Sequence, residues 1–247
     1  MSQSFRLDKY LCLQGEISRS EAGAAIRSGR VTVEGNVVRD PGHKVSPENR
    51  VTLDACPVNN EEMQYVLLNK PSGILTAARS KQVQTVMDLL PPAFLKKGVM
   101  PVGRLDKDTT GLLLFTNDGA LGHLLLSPKR HVWKKYLARV TGRLEEKDRL
   151  AFEEGIQLKD FKTAPARMEI LSPGEEESLA AVWLREGKFH QVKRMFSALG
   201  HEVTALHRES FGPLVLPEDL KPGEWRKLQK EEIAALQEAA AGNGEQE

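Results

Sequence analysis

The stretch Gly103-Arg104-Leu105-Asp106-Lys107-Asp108-Thr109-Thr110-Gly111-Leu112-Leu113-Leu114-Phe115-Thr116 joins a polar, glycine-bounded turn to an unbroken apolar run. A short apolar run with turn residues at its head is the pattern of a strand buried on both faces. Asp106 lies in the turn between Arg104 and Lys107. A carboxylate beside cations, on a turn anchored to a rigid strand, is a candidate nucleophile or base. The same residues would also suit an ordinary solvated turn, so the rest of the chain has to decide between the two.

The chain has 247 residues, 40% of them hydrophobic and 28% charged, the composition of a globular protein with a sizeable core in one large domain or two small ones. Its net charge of +1 conceals an asymmetry. Ser127 to Arg143 carries six Lys or Arg and no acidic residue, whereas Gln229 to Glu247 carries five Glu and one Lys. The two cysteines, Cys12 and Cys56, are far apart and suit neither a disulfide framework nor a zinc site. The N-terminus lacks an apolar signal core and no apolar run reaches the length of a membrane span. A cytoplasmic protein with no membrane partner is expected. No GxxxxGK[ST] loop or dinucleotide fingerprint occurs and the histidines lack metal spacing, so no nucleotide cofactor, other cofactor or metal is expected. His190 reads as a structural hydrogen-bonding group.

Along the chain, Leu7, Tyr10 and Leu11 have helical spacing. Ser18-Arg19-Ser20-Glu21 is a capping box that opens a helix ending at Gly29. Val31 to Val38 reads as two short strands about a glycine turn, and Val51-Thr52-Leu53 as another. These elements make a first domain over 1–56, followed by a linker over 57–62. A second domain over 63–236 starts with the buried-strand pattern Tyr65-Val66-Leu67-Leu68-Asn69. It continues with helices near 86–90, 120–126, 145–154 and 190–199, strands near 135–140 and 180–184, and a last helix near 231–236. Strands and helices interleave without a strict βαβ repeat. An α+β fold with a mixed, mostly antiparallel sheet flanked by helices is predicted. An acidic, disordered tail is expected over 237–247.

Three basic clusters stand out, and a basic face such as the first suits phosphate contacts. The first is Arg6, Lys9, Arg19, Arg27 and Arg30 in the N-terminal module. The second is Lys129, Arg130, Lys134, Lys135, Arg139 and Arg143, interleaved with Trp133 and Tyr136, whose rings could stack on an unstacked base. The third is Lys193 and Arg194, which open a helix after Glu186-Gly187-Lys188-Phe189-His190, and one of the two could pair with a buried carboxylate. Each cluster, taken alone, also suits a solvated face.

Arg6-Leu7-Asp8-Lys9-Tyr10-Leu11, Ser18-Arg19-Ser20-Glu21-Ala22 and Ile26 to Gly35 closely resemble the S4-like RNA-binding domain. Asn69-Lys70-Pro71-Ser72-Gly73, Gly103-Arg104-Leu105-Asp106, Lys135-Tyr136-Leu137 and Gly187 to Phe196 occur in the order seen in RNA pseudouridine synthases. With the N-terminal module, the chain resembles the small-subunit branch of that family over about residues 5 to 235. The resemblance implies an isomerase that cuts the uracil N1–C1′ bond, turns the base and rejoins it through C5, with no cofactor. It implies that Asp106 is catalytic, either attacking C1′ or taking the C2′ proton. It makes Lys193 its cationic partner, Tyr136 the ring that packs on the uracil, and Arg104 the residue that fills the space left by a flipped uridine. Lys70 and Pro71 match a motif that supports the pocket, and Lys70 is grouped with Lys134, Lys135 and Arg194 among residues expected near RNA. The short acidic C-terminus, Leu206 to Gly212 and Leu220 to Trp225 favour 16S rRNA, or a small-subunit assembly intermediate, as partner of a monomer. The same chemistry on 23S rRNA and a non-catalytic assembly factor are the alternatives.

Overall fold

The computed structural model describes residues 5–12, 17–46, 49–58, 63–80, 82–127, 130 and 132–242. They divide into two compact units: one runs to Gln64 and also takes in Leu90–Met100, and the other comprises Tyr65–Leu89 and the chain from Pro101 onward.

In the first unit β1 (Phe5–Arg6) leads directly into α1 (Leu7–Cys12), and α2 (Arg19–Arg27) follows. The capping box is formed: Ser18 N donates to Glu21 Oε2 at 2.7 Å, and Glu21 N donates to Ser18 Oγ at 3.3 Å. Two orphan amides at the helix start are thereby satisfied. β2 (Val31–Val33) and β3 (Asn36–Val37) meet at Glu34-Gly35, both at positive φ (50° and 80°), the geometry of a two-residue hairpin turn. β4 (Lys44–Val45) pairs with β1, and β5 (Val51–Leu53) and β6 (Cys56–Pro57) complete a sheet of order β3-β2-β5-β6. Leu7, Tyr10, Ala22, Ile26, Val31 and Val51 form its core. The segment Leu90–Met100 carries α3 (Pro92–Lys96) and buries Leu90, Phe94 and Val99. Two boundaries therefore differ from the sequence reading. Pro57 belongs to the small sheet rather than to a linker, and residues 90–100 group with the first unit rather than the second. Residues 59–62 of the expected linker lie outside the described residues.

In the second unit β7 (Tyr65–Lys70) and β9 (Thr110–Thr116) pair antiparallel, with β8 (Met100–Pro101) between them in sequence. α4 (Gly119–Leu126), β10 (Lys134–Thr141), α5 (Glu146–Glu154), β11 (Arg167–Ser172), β12 (Glu177–Leu184), α6 (Gln191–Ala198), β13 (Val203–Phe211), β14 (Leu214–Val215), β15 (Trp225–Lys227) and α7 (Lys230–Ala241) follow. The sheet runs in the order β11-β12-β10-β13-β9-β7-β15, with β14 beside β13 and β8 beside β9; along that path the β13–β9 pair is parallel and the other described pairs are antiparallel. The mixed, mostly antiparallel sheet is as the sequence predicts. Leu112, Leu114 and Leu67 pack with Leu121 and Leu125 of α4 and Leu236 and Ala240 of α7. Burial of Leu236 and Ala240 explains why residues 237–241, expected at the start of a disordered tail, are helical. Arg130 Nη1 donates to Ala241 O at 2.8 Å and so satisfies a carbonyl at the end of α7. Residues 243–247 lie outside the described residues.

Gly111, the second residue of β9, has φ 103°, and a Cβ there would stand 2.3 Å from Arg208 O on β13. Gly111→Ala is expected to destabilise the second unit by about 3 kcal/mol or more, a drop of several degrees in its calorimetric midpoint. Asp8 makes a second case in the first unit. Arg6 donates to it twice (Nε 3.2 Å, Nη2 2.9 Å), Lys9 N donates at 2.7 Å, and Arg19 Nε stands 3.5 Å away. These donors, led by Arg6, hold the carboxyl down to about 2 from 3.8. A lowered carboxyl stabilises the fold above its ordinary value and loses that contribution as pH falls through the folded value. Asp8→Asn should lower the stability of the first unit near neutral pH by roughly 1–2 kcal/mol, and flatten its loss between about pH 4 and 2. Thermal unfolding of both proteins across that range checks this.

Candidate active site

The turn that carries Asp106 is held by groups buried beneath it. Lys70, the last residue of β7, is 0% exposed. Its ammonium donates to Pro71 O (3.0 Å), Lys107 O (3.1 Å) and Thr109 O (2.9 Å). Burial pushes its pKa down to about 8, against the pull of Asp108 and Asp106. Three tetrahedral donors on three carbonyls account for every N–H of an ammonium. Thr76 grips the residue before Asp106: its hydroxyl donates to Leu105 O at 2.7 Å and accepts from Leu105 N at 3.3 Å. Gly73 N donates to Lys107 O, and Thr109 N donates back to Asp106 O at 3.2 Å. Both peptide neighbours of Asp106 are thus fixed, while its own side chain is 26% exposed.

Two side chains, from α6 and from the residue before it, approach that carboxylate. His190 Nε2 is 3.4 Å from Asp106 Oδ1, and Lys193 Nζ is 3.9 Å from Asp106 Oδ2. Lys193 stands closer to a second carboxylate, donating to Asp108 Oδ2 at 2.6 Å. That hydrogen bond lowers the Asp108 pKa. The expected pairing of Asp106 with Lys193 is therefore shared with Asp108. The chain reaches His190 in the left-handed region (φ 50°, ψ 31°), immediately before α6. Such a backbone costs about 1–3 kcal/mol in a non-glycine residue and persists where its surroundings fix it. Gln191 does so here: its Oε1 accepts from Lys188 N at 3.0 Å and its Nε2 donates to Glu186 Oε2 at 2.7 Å.

Arg104, Asp106, Tyr136, Lys188 and His190 line one cleft together with the apolar Leu184, Val192 and Leu206. Tyr136 is 8% exposed and sits beside a bulge: Lys135 pairs with Ser210 but Tyr136 with Arg208, so Glu209 is skipped. A bulge re-aims the side chains on either side of it. Arg104 is exposed. Among the described residues no group of three His, Cys, Asp or Glu could hold a metal ion.

The expected RNA contacts separate into three kinds. Lys70 and Lys134 are buried and cannot touch a macromolecule. Lys134 donates to Val132 O (3.0 Å) and Arg185 O (3.4 Å), and burial pushes its pKa down to about 8. Lys135 is half-buried, 2.6 Å from Glu209 and over the Trp183 ring, while Arg194 is paired with Asp160 beside Phe161. In the first unit Arg6 and Arg19 converge on Asp8 and Arg30 pairs with Asp54, whereas Lys9 lies over the Phe5 ring and Arg27 is exposed in the last turn of α2. Lys129 lies outside the described residues. The sequence reading set His190 aside as structural and gave no part to Asp108 or Thr76. The one available signal was the Asp106-Lys107-Asp108 spacing, which puts two carboxylates on one turn.

A family model described as RNA pseudouridylate synthase matches residues 64–198, and an S4 domain model matches residues 5–51. The chain is 41% identical to an uncharacterized RNA pseudouridine synthase of Bacillus subtilis, over 96% of this chain and all of that relative. It is 40% identical to ribosomal small subunit pseudouridine synthase A of Escherichia coli, over 94% of this chain and 99% of the relative. A crystal structure of a pseudouridylate synthase superimposes with a TM-score of 0.66 at 37% identity, covering 94% of this chain and 99% of that one.

The geometry makes Lys70 the support of the Asp106 turn. Replacing it with Met should leave three carbonyls without their donor. Amide exchange across residues 105–111 is expected to quicken at least about tenfold while β10 and β12 keep their protection. Hydrogen exchange by mass spectrometry on Lys70→Met tests this; equal exchange in the two proteins would refute the support role.

Proposed function

This chain belongs to the RNA pseudouridylate synthase family, and we propose that it converts a uridine of 16S ribosomal RNA to pseudouridine with Asp106 as the reacting carboxylate. The observation that carries the reading is the fixed Asp106 turn, opening into one cleft with Tyr136 and Arg104. The naming of relatives for the ribosomal small subunit supports 16S as the source of the substrate.

The reaction is an isomerisation, with no redox change. The N1–C1′ bond breaks, the uracil turns, C5 bonds to C1′, a proton leaves C5 and a proton ends on N1. Asp106 either adds an oxygen to C1′ and is released when C5 attacks, or takes the C2′ proton and returns it. Both routes require an ionised carboxylate near the ribose. Lys193 Nζ brings positive charge to within 3.9 Å of that carboxylate, and His190 Nε2 stands 3.4 Å away. Lys193 is in turn held by Asp108, so the ammonium stays in place whichever route operates. The target base leaves its stack to reach the cleft, since its glycosidic atoms are inaccessible in a duplex. There Tyr136 packs on the uracil and assists removal of the C5 proton, and Arg104 occupies the space the uridine vacates. The S4 domain adds sequence-independent contacts through Lys9 and Arg27, with Arg6, Arg19 and Arg30 at its charged surface.

Pseudouridine mapping of both ribosomal RNAs in a deletion strain tests the proposal. One 16S position should be lost, restored by the wild-type chain, and left unrestored by Asp106→Asn. Full modification by that variant would remove Asp106 from the chemistry, and loss of a 23S position instead would overturn the 16S assignment.

A further inference from the structure

Phe189 is 71% exposed, and every other Phe, Tyr and Trp of the chain is buried or half-buried. Exposure of a single apolar side chain is ordinary in itself. The position of this ring is not. One face of it is stacked on the His190 imidazole, with centroids 3.8 Å apart and planes 17° from parallel. The same imidazole is the group 3.4 Å from Asp106 Oδ1. Lys188 and His190 line the cleft, but Phe189 between them does not, so its ring stands on the rim. The loop is already fixed by the two Gln191 hydrogen bonds, and little ordering remains to be done when something lands on it. The exposed Arg104 lines the same cleft and brings positive charge to it, as does Lys188, nearly half exposed, whose ammonium lies over the Phe161 ring and 3.7 Å from Glu186.

A flat apolar ring backed by a second ring and bordered by cations matches a nucleobase attached to an anionic backbone. We propose that the outer face of Phe189 is a stacking platform for a single-stranded RNA base adjacent to the uridine in the cleft. This rests on the reading that the cleft takes a flipped uridine. The platform gives the displaced neighbour a new stacking partner when the uridine leaves the helix. It selects for an unpaired, π-faced nucleotide without reading its hydrogen-bonding edge, and it places the neighbouring base within one residue of the group that touches Asp106.

The test uses the full chain and a single-stranded oligoribonucleotide of about ten nucleotides, a length that suits a stacking and backbone site, with one uridine flanked by 2-aminopurine on either side. Wild-type binding should quench one of the two fluorophores. Phe189→Ala should bind about tenfold more weakly and lose that quench. Phe189→Trp should restore both, and Phe189→Leu, which keeps apolar bulk without a π-face, should not. Unchanged thermal midpoints would confirm that the variants fold. Equal affinity and quench in wild type and Phe189→Ala, or rescue by Leu as good as by Trp, would overturn the platform. Pseudouridine formation by the wild type, and its loss in Asp106→Asn, report separately on the chemistry. Failure of the platform is thereby distinguishable from failure of the proposed function.

Discussion

The buried ammonium of Lys70 is the constraint around which the second unit's site is organised. An isolated ammonium in an apolar interior is costly. Here three carbonyls, one from Pro71 and two from the Asp106 turn (Lys107 and Thr109), replace water around it, and burial still pulls its pKa down to about 8. An arginine could not take its place, because a planar fork does not match three acceptors arranged about a point. The turn cannot relax without exposing that charge. Asp106 is thus carried on backbone whose preferred geometry is dictated by a cation it does not touch, while its side chain stays partly exposed in the cleft.

A second level of order comes from α6. The strained residue at its start turns the His190 ring toward Asp106 Oδ1, and one helical turn later Lys193 approaches Oδ2. Because Asp108 holds Lys193 at 2.6 Å, the ammonium is positioned before any substrate arrives. Electrostatic support that is already oriented needs no reorganisation when charge develops. The pair of carboxylates on one turn is therefore divided in role by geometry: one anchors the cation and the other keeps an open face to the cleft.

Much of this was legible in the sequence, and the rest was hidden for identifiable reasons. Local signals survived: the Ser18–Glu21 capping box, the Gly103–Gly111 turn and the unbroken run of β9 appear where the residues put them. What depends on distant partners did not. Lys70 and Lys134 look like surface cations, because nothing in sequence reveals which carbonyls will surround them. His190 carries no motif of its own, and its left-handed backbone is imposed by Gln191 and Glu186. β13 was not recognised, since Val203-Thr204-Ala205-Leu206-His207-Arg208-Glu209-Ser210-Phe211 mixes charged and apolar residues without a clean alternation. Its interior place in the sheet tolerates this because Arg208 is buried with its Nε on Leu112 O at 2.8 Å and its guanidinium over the Phe211 ring. Sequence order also gave no warning that residues 90–100 would group with the first unit.

The strand order β10-β13-β9 has a consequence for the making of the protein. β9 and β10 are separated by fewer than twenty residues in sequence, yet β13, from some sixty residues further on, lies between them. On a chain still emerging from the ribosome, β10 and the start of β9 present open edges that no earlier segment is destined to fill, although β8 and the Val102 N to Leu114 O bond cover β9 further along. Pairing them with each other would be a local, rapid and wrong solution. Gly111 makes the right one possible, since only a residue without a side chain lets β13 come this close. The sheet beneath Asp106 thus closes late in synthesis, and a product cut short before residue 203 would carry two unsatisfied edges rather than a smaller working enzyme.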